Sequence, residues 1–284
     1  MAVDVKSLCR CFILVSTAMA WGCGADADQS SSGSEDSSDS GALEPSLPLV
    51  LVGDINLPGG ATRFDYQDID IARGHLVVAH MNDDSVLVID LADGAVLAEL
   101  PNIPTARGVV VADEVGLIFV TSTPNVLVAI DNTTLAEVRR VTTGNSPDGV
   151  GWDPVDQIVA VSDQGDGAMS LIVDAGRGAR SQIPLGVETG NVVFDPTRGW
   201  FWITVVASNG PDQLVAVDPK SAMVTTSIDV PGCSGAHGLR LHPDGLSAFI
   251  ACESNDVLAR IDLDSGAVAT AATGSGPDVL SIDS

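Results

Sequence analysis

The chain repeats itself about every 42 residues. A turn residue closes an opening apolar run at Asp70, Ala112, Asp153, Asp195, His242 and Asp283, at spacings of 42, 41, 42, 47 and 41. An Asp ends a later run at Asp90, Asp131, Asp174, Asp218 and Asp262, at spacings of 41, 43, 44 and 44. Two independent markers sharing one period point to a repeat architecture. Each unit holds four strand-length alternations of apolar and polar residues. In the fifth they are Gly238–His242, Ser247–Cys252, Val257–Asp262 and Ala267–Thr273, with Gly, Pro, Asp and Asn between them. No segment keeps a helical period over three turns.

Four short antiparallel strands in a unit of roughly 40–45 residues is the spacing of β-propeller blades. A sheet that is apolar on both faces cannot bury itself, so each unit must stack on its neighbours. The Asp after the third strand recurs in every unit and is expected to accept backbone N–H groups of the turn into the fourth. Hydrophobic residues make up 45% of the chain but aromatics only 4%, so small and β-branched side chains must fill the core. The net charge is −25 and lysine occurs only at Lys6 and Lys220. Without a basic stripe, nucleic acid is excluded as a partner class.

The N-terminus reads as an export signal. Lys6 and Arg10 flank an apolar run from Cys11 to Trp21 that is too short to span a bilayer. Ala20 and Gly22 before Cys23 resemble a lipobox, which makes 1–22 a lipoprotein signal and Cys23 the lipidated residue. The Leu usual three residues before such a cysteine is missing, and Ala18–Met19–Ala20 offers an ordinary cleavage site instead. Residues 23–47 are small, polar or acidic and cannot bury enough apolar surface to fold, so they are expected to form a disordered tether. Either cleavage places residues 48–284 outside the cytoplasm, lipid-anchored at an envelope membrane or soluble in the periplasm. Cys233 and Cys252 are then an even pair in an oxidising compartment. Folding the fifth unit's first hairpin about Pro243–Gly245 sets Cys252 opposite residue 236 or so, within disulfide reach of Cys233.

Three stretches carry a resemblance: "RFDYQDIDIARGHLVVAH" (63–80), "SVLVIDLADGAVLAELPNIPTARGVVVADEVGLIFV" (85–120) and "CSGAHGLRLHPDGLSAFIAC" (233–252). They are similar to the bacterial YncE-like proteins of the YVTN β-propeller group, over about residues 48–284. The resemblance implies an all-β propeller of the seven-bladed type. Five complete units are present, at about 64–106, 107–147, 148–189, 190–236 and 237–277, and the first strand of a sixth opens at 278–284. Leu49–Leu57 reads as an outermost strand without a blade of its own. Two units are thus expected to be missing, the chain stopping inside the sixth, with an open arc or a strained closure as the result. The haem-attachment pattern C-x-x-C-H of neighbouring propeller groups is absent from the sequence.

Function should lie in what varies between units. The residue five before each strand-end marker is Asp65, Arg107, Asp148, Gly190, His237 and Asp278. These positions approach the central channel at one face, so Asp65, Arg107, Asp148, His237 and Asp278 form a candidate ligand-binding mouth. Of the four histidines, His237 is the one of interest, and His80 is expected near the same surface. Trp200 and Trp202 share one face of a strand with Phe201 on the other, which suits packing between blades. The loop at 207–213 is the longest between a second and third strand and is a secondary candidate for partner contact. No nucleophile elbow, P-loop or H-E-x-x-H occurs. No catalytic residue, resident cofactor or metal ligand is assigned. The reading is a non-catalytic envelope scaffold for a protein or small ligand. The alternative is a lactonase or esterase using Ca²⁺ or a similar cation, with oxygens from Asp65, Asp148, Asp278 and Asn191. Arg107 in the same ring opposes a bound dication, because its charge cannot be removed.

Overall fold

The computed structural model describes residues 53–282. The signal at 1–22, Cys23 and the tether at 23–47 lie outside the described residues.

Twenty strands form five four-stranded antiparallel sheets, each built from strands consecutive in sequence. Blade one holds β1 (Gln67–Asp70), β2 (His75–His80), β3 (Ser85–Asp90) and β4 (Val96–Pro101). Blade two holds β5 (Val109–Ala112), β6 (Leu117–Ser122), β7 (Val126–Asp131) and β8 (Glu137–Thr142). Blade three holds β9 (Pro147–Asp153), β10 (Ile158–Asp163), β11 (Ala168–Ile172) and β12 (Arg180–Pro184). Blade four holds β13 (Glu188–Asp195), β14 (Trp200–Val206), β15 (Gln213–Asp218) and β16 (Met223–Asp229). Blade five holds β17 (Ala236–Leu241), β18 (Ser247–Cys252), β19 (Val257–Asp262) and β20 (Val268–Ala272). The five complete repeat units are therefore five blades. The expected strand at 278–284 is not formed: residues 274–282 join no ladder, and 283–284 lie outside the described residues. Residues 53–57 of the expected outermost strand are likewise unpaired, the rest of it lying outside.

The apolar layers lie between blades. Val77, Val86, Ile118 and Val128 join blades one and two. Phe119, Leu127, Val150 and Val159 join two and three. Ile158, Met169, Phe201 and Val217 join three and four, and Trp202, Leu214, Leu239 and Ile250 join four and five. On β14, Phe201 thus faces blade three while Trp200 and Trp202 face blade five, as the alternation requires. Each fully buried Val, Leu, Ile or Phe contributes roughly 1.5–3 kcal/mol. Outer strands are half-exposed, as in β8 and β16, which cover no further sheet.

The strand-end aspartates organise the turns. Asp131 Oδ1 accepts the N–H groups of Thr133 (3.0 Å) and Thr134 (2.7 Å), and Asp262 Oδ1 those of Asp264 (3.2 Å) and Ser265 (2.8 Å). Asp90 and Asp218 each hold one such N–H. Asp174 departs from the expectation. β11 ends at Ile172, and Asp174 sits beyond it in a left-handed conformation (φ 53°) with no such contact. Among the first-strand markers, Asp70, Asp153 and Asp195 do the same in a buried setting. Asp195 accepts Thr197 N–H (2.8 Å), Arg198 N–H (3.2 Å) and the Trp202 indole N–H (3.1 Å), and pairs with Arg198 (2.9 Å).

The two faces of the assembly differ. Turns after first and third strands lie on the far face, where Arg73 reaches from blade one to Asp113 of blade two (2.8 Å) and Lys220 from blade four to Asp156 of blade three (3.0 Å). The starts of the inner strands and the turns after second strands lie on the opposite face. There Cys233 and Cys252 form a disulfide with their Cα atoms 5.2 Å apart, and Ala236 pairs with Cys252 as folding about Pro243–Gly245 requires. Closing a loop of this size stabilises by about 3 kcal/mol.

Candidate functional site: the channel mouth

The inner strands reach the mouth through bulges. On β9, β13 and β17 the ladder slips by one residue between Pro147 and Val150, Thr189 and Val192, and Ala236 and Leu239. The residues inside these bulges are Asp148–Gly149, Gly190–Asn191 and His237–Gly238. A bulge re-aims the side chain it carries and bends its strand. Second-strand hydroxyls fill the interrupted ladders. Gly108 N–H donates to Thr121 Oγ1 (2.7 Å) and Gly149 N–H to Ser162 Oγ (2.7 Å). Thr121 Oγ1 in turn donates to the Asp148 carbonyl, and Thr204 Oγ1 to the His237 carbonyl (2.7 Å). Thr121 and Thr204 thus each fix the mouth residue of the next blade, and Ser162 stays within its own.

Glycine is required where inner strands meet. A Cβ on Gly108 would strike the Asp148 carbonyl, and one on Gly238 the Asp278 carbonyl. On Gly190 it would lie 2.6 Å from the Cα of His237. The absence of a side chain at the fourth blade's mouth position thus makes room for the fifth blade's histidine.

Four of the five expected mouth residues, Arg107, Asp148, His237 and Asp278, join with Arg63 in one charged network, and Asp65 lies beside it. His237 Nε2 stands 3.2 Å from Asp148 Oδ2 and 3.3 Å from Asp278 Oδ1. Arg107 Nη1 stands 3.6 Å from Asp148 Oδ1, and Arg63 Nη2 donates to Asp278 Oδ2 at 2.9 Å. Asp278 therefore links the lead into blade one with blade five. Arg107 also donates to Gln164, whose Nε2 donates to Glu188 (2.8 Å). Side-chain exposure falls from 51% at Arg63 through 23% at Asp278 and 20% at Arg107 to 11% at His237 and 2% at Asp148. The network thus has a rim and a floor. Asp65 is buried, feels Asp148 and Asp278, and makes no side-chain hydrogen bond.

Charge and burial set the protonation. Burial, then repulsion from Asp148 and Asp278, pushes Asp65 up to about 7 against the pull of Arg63 and Arg107. His237 shows the opposite balance. Burial pulls its imidazolium down, but close contact with Asp148 and the charges of Asp278 and Glu253 outweigh it and raise the value to about 9. His237 is therefore a cation at neutral pH, and Asp65 is poised between its two forms.

A cleft of about 640 Å³ opens beside His237 between blades four and five. Glu188, Asp212, Glu253, Ser234 and Ser254 line it, with Val206 at the end of β14 and Ala207 and Gly210 from the long second-to-third-strand loop. The two candidate surfaces, mouth and loop, therefore meet at His237. Sequence reasoning missed Tyr66, wholly buried beside Asp65 with an unpartnered hydroxyl, and Gln164, which ties Arg107 to Glu188. The glycines recurring beside the mouth positions were a legible signal for the bulges. Nothing in the repeat marked Tyr66 or Gln164. His80 is wholly buried, stacked on Phe64 at 4.3 Å, and does not face the surface. Asn191 is engaged by Leu239 and Val192, which removes it from the set of free oxygens. Among the described residues no group of three or more His, Cys, Asp and Glu is arranged to hold a metal ion.

No protein-family model matches the chain, and no curated protein does. Solved structures do. A streptogramin B lyase aligns with a TM-score of 0.66 at 11% identity, covering 79% of this chain and 74% of the lyase. A catalytically inactive virginiamycin B lyase from Staphylococcus aureus with quinupristin aligns with 0.64 at 13% identity, covering 78% and 76%. The dihydro-heme d1 dehydrogenase NirN in complex with DHE aligns with 0.59 at 17% identity, covering 73% of this chain, which spans only 45% of that protein. At such identities the likeness concerns the fold alone, and it agrees with the five four-stranded blades: the chain is a β-propeller.

Proposed function

We propose that the protein is a binding scaffold of the YncE-like kind in the bacterial cell envelope, exported and held by a lipid on Cys23. It recognises a small ligand or a partner's side chain at the channel mouth. The observation that carries the reading is the network in which His237 lies between Asp148 and Asp278 beside an acidic cleft. Buried charges at convergent inner-strand bulges are costly to maintain. Strand starts could be capped without them, as the hydroxyls of Thr121 and Ser162 illustrate. Loop-lined clefts on rigid scaffolds are where recognition concentrates.

The test is a thermal-shift screen of small charged and neutral metabolites against the wild type and His237→Gln. A ligand that raises Tm in the wild type and not in the variant supports the mouth. Ligands that stabilise both equally remove it. Palmitate labelling that persists in Cys23→Ala would exclude the lipid anchor.

The second reading, a hydrolase using Ca²⁺ or a similar cation, draws on the buried carboxylate oxygens of Asp65, Asp148 and Asp278, of which Asp65 Oδ1 has no partner and the other two face His237. Arg107 and protonated His237 stand against it, since both repel a dication. Calorimetry with Ca²⁺ on the wild type and Asp148→Ala separates the two. A tight site in the wild type alone would favour the hydrolase.

A further inference from the structure

Two carboxylates claim one proton at the mouth. His237 Nε2 stands 3.2 Å from Asp148 Oδ2 and 3.3 Å from Asp278 Oδ1, and an imidazolium nitrogen carries a single N–H. The two claimants are not equally placed. Asp148 is buried on β9, and Thr121 donates to its carbonyl. Asp278 is the more exposed, and residues 274–282 around it join no ladder. Its backbone rests on Gly238, where a Cβ would strike its carbonyl, while its carboxyl reaches the rim to meet Arg63 at 2.9 Å. Arg63 is half-exposed, and an exposed ion pair contributes little. Of the carboxyls at the mouth, that of Asp278 is therefore the one that can leave.

Its departure leaves a positive site. Arg63, Arg107 and His237 would then face Asp148 and Asp65 alone, and Asp65, pushed up to about 7, carries only part of a charge at neutral pH. Three cations gathered at one rim stand out in a chain with 13 Lys and Arg against 38 Asp and Glu. What Arg63 and His237 hold between them now is a carboxyl, so the fit of that group to the pair is already on display. The adjoining cleft restricts what else such a ligand carries. Glu188, Asp212 and Glu253 line it and would repel a second negative charge.

We infer that the mouth takes a monocarboxylate, bound between Arg63 and His237 in place of the Asp278 side chain, and that Asp278 occupies the site until it is exchanged. This rests on the mouth-binding reading and names the ligand class. A free carboxylic acid and an acidic side chain of a peptide present the same chemistry. The exchange is one for one, so no cation of the mouth loses its partner, and the displaced carboxyl turns to solvent. A tethered competitor acts at high effective concentration. Affinity for a free carboxylate is therefore low in the wild type and rises when the competitor is removed.

The experiment is titration calorimetry on the full chain with butyrate, Nα-acetyl-aspartate methylamide, glutarate, butylamine and 1-butanol. Butyrate and the capped aspartate are expected to bind the wild type weakly and to bind Asp278→Asn about tenfold more tightly or better, with the variant folded by circular dichroism. The gain should vanish when His237→Gln is added. Glutarate should bind less tightly than butyrate, and butylamine and 1-butanol not at all. Which of the two monocarboxylates binds better tells a free acid from a peptide side chain. Glu253→Gln is the control: it removes the same charge nearby and frees no cation, so it should change affinity little. In the wild type, saturating butyrate should also shift the Asp278 backbone amide resonance, which 1-butanol should not, and this arm stands if Asp278→Asn does not fold. Equal gains in Asp278→Asn and Glu253→Gln, or an unmoved Asp278 resonance, would overturn the exchange. No carboxylate binding to either protein, or glutarate binding better than butyrate, would overturn the monocarboxylate. Butylamine or 1-butanol binding that is lost in His237→Gln would overturn it too, and leave the mouth reading standing.

Discussion

At the scale of single residues, the mouth is expected to dominate how stability responds to pH. Asp65 titrates higher in the folded protein than unfolded, so the fold binds its proton more tightly. Its contribution is therefore present in acid and is lost as pH rises from about 4 toward 7. His237 is also raised, and its contribution is full below about 6.5 and lost as pH rises through 9. Both act in one direction. Melting temperature should decline from pH 5 to pH 9, unusually early for a chain so rich in carboxylates. Scanning calorimetry should show Asp65→Asn flattening the limb below 7 and His237→Gln the limb above it. An unchanged profile in both variants would contradict the assigned environments. The turn aspartates behave oppositely. The Thr134 N–H and hydroxyl hold Asp131, and the Ser265 hydroxyl and N–H hold Asp262, below the usual range, so both support the fold above about 4 and fail it in stronger acid. Which residues stand at the mouth was readable from one fixed offset before a recurring marker. Their pairing was not, because it depends on how closely neighbouring blades approach: Gly190 carries no side chain, and the backbone of His237 comes up against it.

At the scale of elements, two kinds of recurring Asp should prove unequal. Asp131 sits on an exposed turn, and Asp131→Ala should cost about 1 kcal/mol, the worth of a surface cap. Asp195 is wholly buried, holds two backbone N–H groups and the Trp202 indole, and pairs with Arg198. Removing it leaves buried donors unmet, and Asp195→Ala should cost about 3 kcal/mol or more. Urea unfolding of the two variants checks the ratio. Equal losses would mean that burial is not what distinguishes them. In the repeat both were simply the Asp that ends a strand. The period made the strands legible because side-chain alternation and turn chemistry are local. Burial of a turn depends on the adjacent blade, as Arg198 shows in reaching Asp264 at 2.6 Å. The irregular turn at Val173–Gly176 escaped for a similar reason: Arg139 of blade two, donating to the carbonyls of Ala175 and Gly176, holds it in place.

At the scale of the whole molecule, blades meet inner strand to inner strand with no spare room. Gly190→Ala should therefore cost about 2 kcal/mol or more, since its Cβ would meet backbone of β17 rather than a side chain that can turn away. The same change should weaken any ligand that depends on His237, and combined melting and binding measurements would show both losses. Retained binding at full affinity would place recognition elsewhere. Blade count and strand order were legible in the sequence because repetition averages over local exceptions. The behaviour of residues 274–282 was not, because one matching segment cannot say whether it finds a partner strand. Finally, consider Lys220 against Asp156 on the far face. It is the single lysine after Lys6, and it points away from the mouth. Amine-reactive attachment to a sensor surface or a fluorophore would therefore engage one defined position in the folded part. Molecules held through Lys220 would present their channel mouth and acidic cleft outward, in one orientation.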